Sequence, residues 1–154
     1  MEAENSKIKF AVVGCGHIGK RHAEMIHQNS ESELVALIDT KDKEALGIEK
    51  YGVPFYSSLE ELFANDVISL EPYEGLLPKQ TRGMSAIRKK AELFISNVEN
   101  FYGSIISDPL VAGDYFTVAW ETDLQMKGEA RKTNNEICVY KTSAGKIVSE
   151  QFFY

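Results

Sequence analysis

The sequence predicts an α+β protein in two parts: a truncated parallel βαβ segment, then a cone-like curved antiparallel sheet with covering helices. A glycine motif between an apolar run and a helical pattern, near residue 14, predicts the first part. Long alternating strands separated by glycine-containing turns, after residue 99, predict the second. We place the domain boundary after residue 56, which gives segments 1–56 and 57–154.

The first segment opens with "KIKFAVVGCGHIGKRHAEMIHQ", in which the apolar run 8–13 predicts a buried parallel strand. Gly14, Gly16 and Gly19 follow as G-x-G-x-x-G, the spacing that permits a tight turn, close approach of a pyrophosphate and close helix packing. The run "ELVALID" predicts a second strand that ends at Asp39. A carboxylate at that place accepts hydrogen bonds from an adenosine ribose, which favours NAD over its 2′-phosphorylated form.

The stretches "VVGCGHIGKRHAEMI", "LVALID" and "YGVPFYSSLEELF" resemble the amino-terminal Rossmann domain of the glucose-fructose oxidoreductase and inositol dehydrogenase family, over about residues 7–63. The resemblance implies NAD as a cofactor bound by the three glycines and Asp39. A Glu-Lys-Pro stretch and a large substrate domain are expected in that family, and neither follows here. Such domains use about five or six parallel strands. This chain predicts two, or three if "VISL" joins them, so we expect an oxidoreductase remnant without a bound cofactor and keep NAD binding as the alternative.

The second segment alternates helical and strand patterns. "LEELFAND" predicts a short helix, "VISLEP" a strand ended by Pro72, and "KQTRGMSAIRKKAELFISNVENF" a longer helix with Thr81 as a candidate cap. The apolar stripe predicted for the longer helix is Ile87, Ala91, Phe94, Ile95 and Val98. The strand patterns are "NFYGSIISDPLVA", "YFTVAWETDLQMK", "RKTNNEICVYK" and "IVSEQFFY". Alternation over 115–127 predicts one sheet face in a core or pocket and one more polar face.

This order of elements resembles the nuclear-transport-factor-2-like superfamily of cystatin-like α+β cones, which includes SnoaL-like polyketide cyclases and ketosteroid isomerase, over about residues 57–154. "LFANDVISLEP" resembles the isomerase stretch with a catalytic carboxylate before proline, which implies that Glu71 is a base. The position of the isomerase's protonated acid falls at Glu136 if the hairpin loop takes a one-residue insertion. We expect the remaining pocket side chains, or core side chains in the alternative reading, to be Trp120, Tyr140, Glu150 and Phe152.

The resemblance implies acid–base catalysis, of isomerase or cyclase type, on an apolar carbonyl compound. A carboxylate at Glu71 can remove a proton next to a carbonyl, and a neutral Glu136 can donate a hydrogen bond to the resulting enolate. The isomerase also uses a tyrosine donor on its first helix. Here that place holds "KDKEALGIEKYG", which we expect to act as a substitute helix from which Tyr51 reaches the pocket.

Composition disfavours several other functions. A net charge of -6 opposes nonspecific binding of nucleic acid, which depends on Lys and Arg to neutralise phosphates. No apolar run has membrane-spanning length and no secretion signal opens the chain, so a cytoplasmic location is expected. His17, His22 and His27 are five residues apart and do not share a helix face, so we expect no metal site. Cys15 and Cys138 suggest no disulfide framework.

Three functional hypotheses stay open at this point. The first is a small-molecule-binding cone domain that forms a homodimer through the polar sheet face, with or without catalysis. The second is an NAD-binding oxidoreductase fragment, and the third is a noncatalytic dimerisation module with exposed Glu71 and Glu136. The junction near "SSLEELF" is compatible with natural recombination, an engineered chimera or a gene-model join, since that stretch suits both families.

Overall fold

The computed structural model describes residues 7–154, which pack as two compact units. One unit ends at Leu62 and the other begins at Phe63. The domain boundary predicted after residue 56 stays a prediction. Among residues 7–154, no helix combines the length and the apolar composition that crossing a membrane requires.

The first unit is a parallel three-stranded sheet in the order β1-β2-β3 with helices between its strands. Its elements are β1 (Ile8–Val13), α1 (His17–Gln28), β2 (Ser32–Ile38), α2 (Lys43–Leu46), a 3-10 turn (Glu49–Tyr51), β3 (Phe55–Tyr56) and a second 3-10 turn (Leu59–Leu62). Both predicted strands are confirmed. The third strand is β3, and "VISL" lies in the strand Phe63–Leu70 of the second unit.

The glycine-rich turn between β1 and α1 has the predicted geometry. Gly14 adopts a φ of +85°, a left-handed conformation that favours glycine. A Cβ on Gly19 would lie 1.8 Å from the backbone oxygen of Gly14. Only glycine at position 19 therefore lets α1 approach the end of β1 this closely.

The prediction that β1 is buried was wrong. Val12 is its only buried residue, and Ile8, Phe10 and Val13 are exposed. The reason is topological: β1 is an edge strand of a three-stranded sheet and has β2 as its partner on one side only. The buried apolar cluster of this unit takes only Val12 from β1. Its other members lie on α1, on β2 and in the segments that follow β1 and β2, and they include Cys15, Ala23, Leu34, Leu37, Leu46, Ile48 and Tyr51.

The second unit is a seven-stranded sheet with one long helix. Its elements are β4 (Phe63–Leu70), β5 (Gln80–Arg82), α3 (Met84–Asn97), β6 (Val98–Ile106), β7 (Leu110–Ala112), β8 (Tyr115–Met126), β9 (Lys132–Ser143) and β10 (Lys146–Phe153). The strand order is β5-β4-β10-β9-β8-β6, with β7 paired to β8. All pairs are antiparallel except β10 with β4. This architecture confirms the predicted α+β cone with its curved sheet.

Several local predictions in this unit were wrong. The helix predicted over "LEELFAND" ends at Leu62, because Phe63 already pairs with Ile147 in the sheet. Thr81 does not cap a helix; it lies in β5, opposite Ser69, and α3 begins only after Gly83. "NFYGSIISDPLVA" forms two strands, β6 and β7, instead of one.

The two faces of the sheet follow from the alternation predicted for β8. Phe116, Val118 and Trp120 lie opposite Tyr140, Cys138 and Glu136 respectively, and these six residues share what we call the inner face. Ala119 and Ile137 form a pair between them and therefore lie on the outer face. On β10, Glu150 and Phe152 lie opposite Tyr140 and Cys138, which places both on the inner face.

Candidate functional site

Glu71 is the central residue of the candidate site. It directly follows β4, and its backbone N–H donates to the carbonyl of Lys79 at 2.9 Å, which fixes the loop around Pro72. The carboxylate is buried and forms an ion pair with Lys90 on α3. Its second oxygen, Oε2, accepts a hydrogen bond from the Tyr154 hydroxyl at 3.1 Å. A buried carboxylate with a different donor on each oxygen is held in one orientation.

Lys90 connects α3 to the inner face. The side chain is 8% exposed, and its ammonium donates to the Ser69 hydroxyl at 2.7 Å as well as to Glu71. The same ammonium lies 4.9 Å from the centre of the Phe152 ring, a cation–π contact. Lys90 therefore has three partners on the inner side of the sheet and neutralises one of the carboxylates there.

Two further carboxyl groups lie on the same face. Glu150 is buried, and burial raises its pKa, while the hydroxyl of Ser69 and the charge of Lys90 act in the opposite direction. Burial also raises the pKa of Glu136, with a further increase from the nearby charge of Glu71. Both groups therefore favour the neutral, hydrogen-bond-donating form more than an exposed glutamate does.

Aromatic and thiol side chains complete the inner face. Tyr140 stacks on Phe116 with ring centres 4.7 Å apart, and burial raises the pKa of its hydroxyl. Cys138 is fully buried, with its sulfur 3.7 Å from a Glu136 oxygen, and burial raises the pKa of the thiol to about 12. A thiol with that pKa stays protonated at neutral pH and is a poor nucleophile. The chemistry of this face therefore rests on its carboxyl groups, its lysine and its phenols.

The structure places every predicted cone residue on one face. Glu71, Glu136 and Glu150 are joined there by Trp120, Tyr140 and Phe152, as the registers of β8, β9 and β10 require. The indole N–H of Trp120 is buried and has no hydrogen-bond partner among the described residues. The catalytic and pocket roles assigned to these residues remain proposals.

Sequence reasoning missed Lys90, Ser69 and Tyr154. The predicted helix stripe included Ala91 and Ile95, which are exposed, whereas Lys90 is the buried residue of α3. Lys90 lies three residues after Ile87 and four before Phe94, so the helical spacing places it on the same face as these two apolar residues. That spacing was the available sign that Lys90 faces the sheet. Tyr154 extends the alternation of Glu150 and Phe152 and could have been found from it.

Tyr51, the donor expected from the first segment, belongs to the first unit. Its ring packs in the apolar cluster of the first unit, and its hydroxyl donates to Glu24 at 2.8 Å. "KDKEALGIEKYG" does not form a substitute helix; it contains the single turn of α2 and a 3-10 turn, since Gly47 and Gly52 adopt left-handed conformations that end them.

The cofactor residues predicted in the first unit lie together around one turn. Gly14, Gly16 and Gly19 surround the start of α1, and a carboxylate oxygen of Asp39 accepts the backbone N–H of Cys15 at 2.6 Å. Backbone N–H groups of Lys41 and Cys15 lower the pKa of Asp39, so the carboxylate is charged at neutral pH. These residues suit the adenosine half of a dinucleotide. The parallel sheet described here has three strands, too few to enclose the other half.

Among residues 7–154, His, Cys, Asp and Glu side chains form no group of three that could hold a metal ion.

The second unit is an α+β cone whose inner face carries ionisable and aromatic side chains. Residues 50–154 match the SnoaL-like domain family, and the chain belongs to it. A Mesorhizobium loti protein described as a SnoaL-like polyketide cyclase is 31% identical, with 62% of this chain and 81% of that chain aligned at a TM-score of 0.58.

Other solved structures share the fold at lower identity. A Catenulispora acidiphila protein with a ketosteroid isomerase-like fold, in complex with trimethylamine, is 22% identical over 62% of this chain and 72% of that chain, with a TM-score of 0.53. A Xanthomonas campestris protein with a cystatin-like fold is also 22% identical, over 62% and 74%, with a TM-score of 0.56. At this identity the likeness concerns the fold alone.

The first unit has separate relatives. Residues 8–71 match an oxidoreductase family with an NAD-binding Rossmann fold. A segment of 59 residues is 41% identical to glyceraldehyde-3-phosphate dehydrogenase of Pyrococcus abyssi. The match covers 38% of this chain and 18% of that enzyme. The chain therefore contains a Rossmann segment beside its SnoaL-like domain, and spans less than a fifth of the dehydrogenase.

Proposed function

We propose that the SnoaL-like domain binds a small apolar carbonyl compound on the inner face of its sheet and that Glu71 removes a proton from the carbon next to the carbonyl. The observation that carries this proposal is the buried Glu71 carboxylate, held by Lys90 and Tyr154 at the end of an aromatic-lined face. A carboxylate that is buried, oriented by two donors and paired with a lysine is suited to accept a proton.

The groups around Glu71 have the properties that the rest of the reaction requires. When Glu71 takes the proton, its negative charge passes to the ligand, which becomes an enolate with the charge on the carbonyl oxygen. Hydrogen-bond donors in a low-dielectric site stabilise that charge. Glu136, whose pKa is raised by burial, is the neutral acid that donates to this oxygen. The rings of Phe152 and Tyr140 provide apolar contact for the ligand's carbon skeleton. The identity of the product, by isomerisation or cyclisation, depends on the compound bound.

The test is deuterium exchange into the α-position of an apolar ketone such as β-tetralone, followed by NMR in heavy water. We expect the wild-type protein to accelerate exchange, and Glu71→Gln to reduce the rate by about 100-fold or more. Glu92→Gln, the same substitution at an exposed position on α3, is the matched control and should retain the wild-type rate. Binding of the ketone is followed separately through Trp120, the single tryptophan of the chain. Wild-type exchange at the uncatalysed rate would reject the proposal.

NAD binding by the first unit is the second candidate, and the turn formed by Gly14 and Gly19 favours it. The three-stranded sheet supports only an adenosine-side site, so we assign no hydride transfer to this unit. Amide hydrogen exchange with NADH separates the two candidates.

A further inference from the structure

The two oxygens of Glu71 are held by donors that differ greatly in solvent exposure. Oε1 contacts Lys90, which is 9% exposed and is fixed by Ser69 and the Phe152 ring. Oε2 contacts the hydroxyl of Tyr154, whose residue is 52% exposed. The ring of Tyr154 makes an edge contact with Tyr73, itself exposed, at 5.4 Å between ring centres. The donor on Oε2 is therefore the one that a ligand can displace.

Proton transfer to Oε2 along the direction of this hydrogen bond displaces the Tyr154 hydroxyl. An α-carbon that delivers its proton along that direction occupies the place from which the hydroxyl donates. The carbonyl oxygen of the ligand is two bonds from that carbon, within reach of a hydroxyl released from Oε2. As the proton moves, Glu71 becomes neutral and the carbonyl oxygen becomes negative. Since hydrogen bonds to charged acceptors are the stronger ones, the better acceptor for the hydroxyl changes from Glu71 to the enolate.

We propose that Tyr154 is a catalytic hydrogen-bond donor that caps Glu71 in the free protein and transfers its hydrogen bond to the enolate oxygen of the ligand. This inference rests on the proposed function of Glu71. Burial and the charge of Glu71 raise the pKa of Tyr154, so the phenol keeps the proton that it donates.

The variants are Tyr154→Phe, which removes only the hydroxyl, and Tyr73→Phe, which removes a hydroxyl from its ring partner. Infrared spectroscopy of β-tetralone labelled with ¹³C at the carbonyl reports the hydrogen bond directly, without turnover. We expect the bound carbonyl stretch to lie lower in the wild type and in Tyr73→Phe than in Tyr154→Phe. Tetralin, the same ring system without oxygen, should bind all three proteins equally, which shows that the face remains folded.

The kinetic readout is α-deuterium exchange with the same ketone. Tyr154→Phe should lower kcat by roughly 10- to 100-fold with little change in KM. The expected loss lies at or below that of a fully buried oxyanion donor, since water can partly replace the hydroxyl of a residue that is 52% exposed. A Tyr154→Phe protein with the wild-type carbonyl stretch and exchange rate would overturn the inference, as would an equal loss in Tyr73→Phe. Failure of the Glu71 proposal has a different signature: the stretch depends on Tyr154, but the exchange rate does not depend on Glu71.

Discussion

Lys90 and Glu71 form an ion pair in which the side chains are 8% and 4% exposed, at the junction of α3 and the inner face of the sheet. Removing one partner of a buried pair leaves an uncompensated charge, which costs more than removing both. We expect Lys90→Met to lower the free energy of unfolding by about 3–5 kcal/mol. The double variant Lys90→Met/Glu71→Gln should recover much of that loss. Urea unfolding of the wild type and the variants measures the difference, and equal losses in the single and double variants would contradict the buried pair.

Glu150 should make stability fall as the pH rises. Its pKa is raised by burial above the ordinary value of 4.5, so the folded protein holds this proton more tightly than the unfolded chain does. The stabilising contribution is complete below pH 4.5 and disappears as the pH rises through the folded-state pKa. Glu150→Gln has no proton to lose and should therefore show a smaller decrease in unfolding free energy between about pH 5 and pH 8.

Denaturant titrations across that pH range measure the slope for the wild type, Glu150→Gln and the exposed control Glu92→Gln. The control should follow the wild type. Parallel pH profiles for wild type and Glu150→Gln would show that the Glu150 carboxyl is not buried as described.

Gly19→Ala should destabilise the first unit, because the added Cβ would meet the Gly14 oxygen at 1.8 Å. Relief of that overlap requires α1 to move from β1, at a cost of about 1–3 kcal/mol or more. Hydrogen exchange of the β2 amides measures the local opening free energy. Gly16→Ala is the control, since a Cβ there meets open space and the φ of -65° is ordinary. Equal effects of the two substitutions would contradict the close approach.

The outer face of the sheet is the surface on which we expect a homodimer to form. It exposes Ile105, Ile137 and Phe153 beside the polar residues Glu121 and Asn135, around a groove of about 330 Å³. Sedimentation velocity at micromolar concentration should show a dimer for the wild type and a monomer for Ile137→Glu. Leu93→Glu introduces the same charge at an exposed apolar position of α3 and should remain dimeric. A monomeric wild type would reject this prediction and the dimerisation-module hypothesis with it.

The sequence was sufficient to predict which strand residues share a sheet face, but not which face of α3 is buried. Strict alternation through Trp120 and Leu124 defines the inner face of β8, and the same alternation carries Glu150 and Phe152 on β10. The helical period alone does not decide which face of α3 is buried, since Lys90 and Ala91 each share a face with Ile87 and Phe94. The start of the helix was also mispredicted: we placed it near Lys79, whereas α3 starts at Met84 because 80–82 pair with β4.

The ladder between β4 and β5 pairs residues that lie 10 to 14 positions apart in the chain, from Leu70 with Gln80 to Ile68 with Arg82. No local propensity indicates this pairing. The cluster around Glu71 was only partly predictable, because it also depends on contacts between residues far apart in the sequence. Glu71 was indicated by its place before Pro72, but its partners come from α3 and from the residue after β10. Adjacent Lys89 and Lys90 look equivalent in the sequence; only the packing of α3 buries the second and leaves the first exposed.

The most direct test of the central claim, that the inner face of the cone is the ligand site, is amide hydrogen exchange over the whole chain with β-tetralone and, separately, with millimolar NADH. We predict that the ketone adds protection in β4, β9 and β10, around Glu71 and Glu136, and that NADH leaves the exchange of residues 8–40 unchanged. Added protection by NADH at 12–19 and near Asp39, with no effect of the ketone on the cone strands, would contradict the account and assign ligand binding to the Rossmann segment.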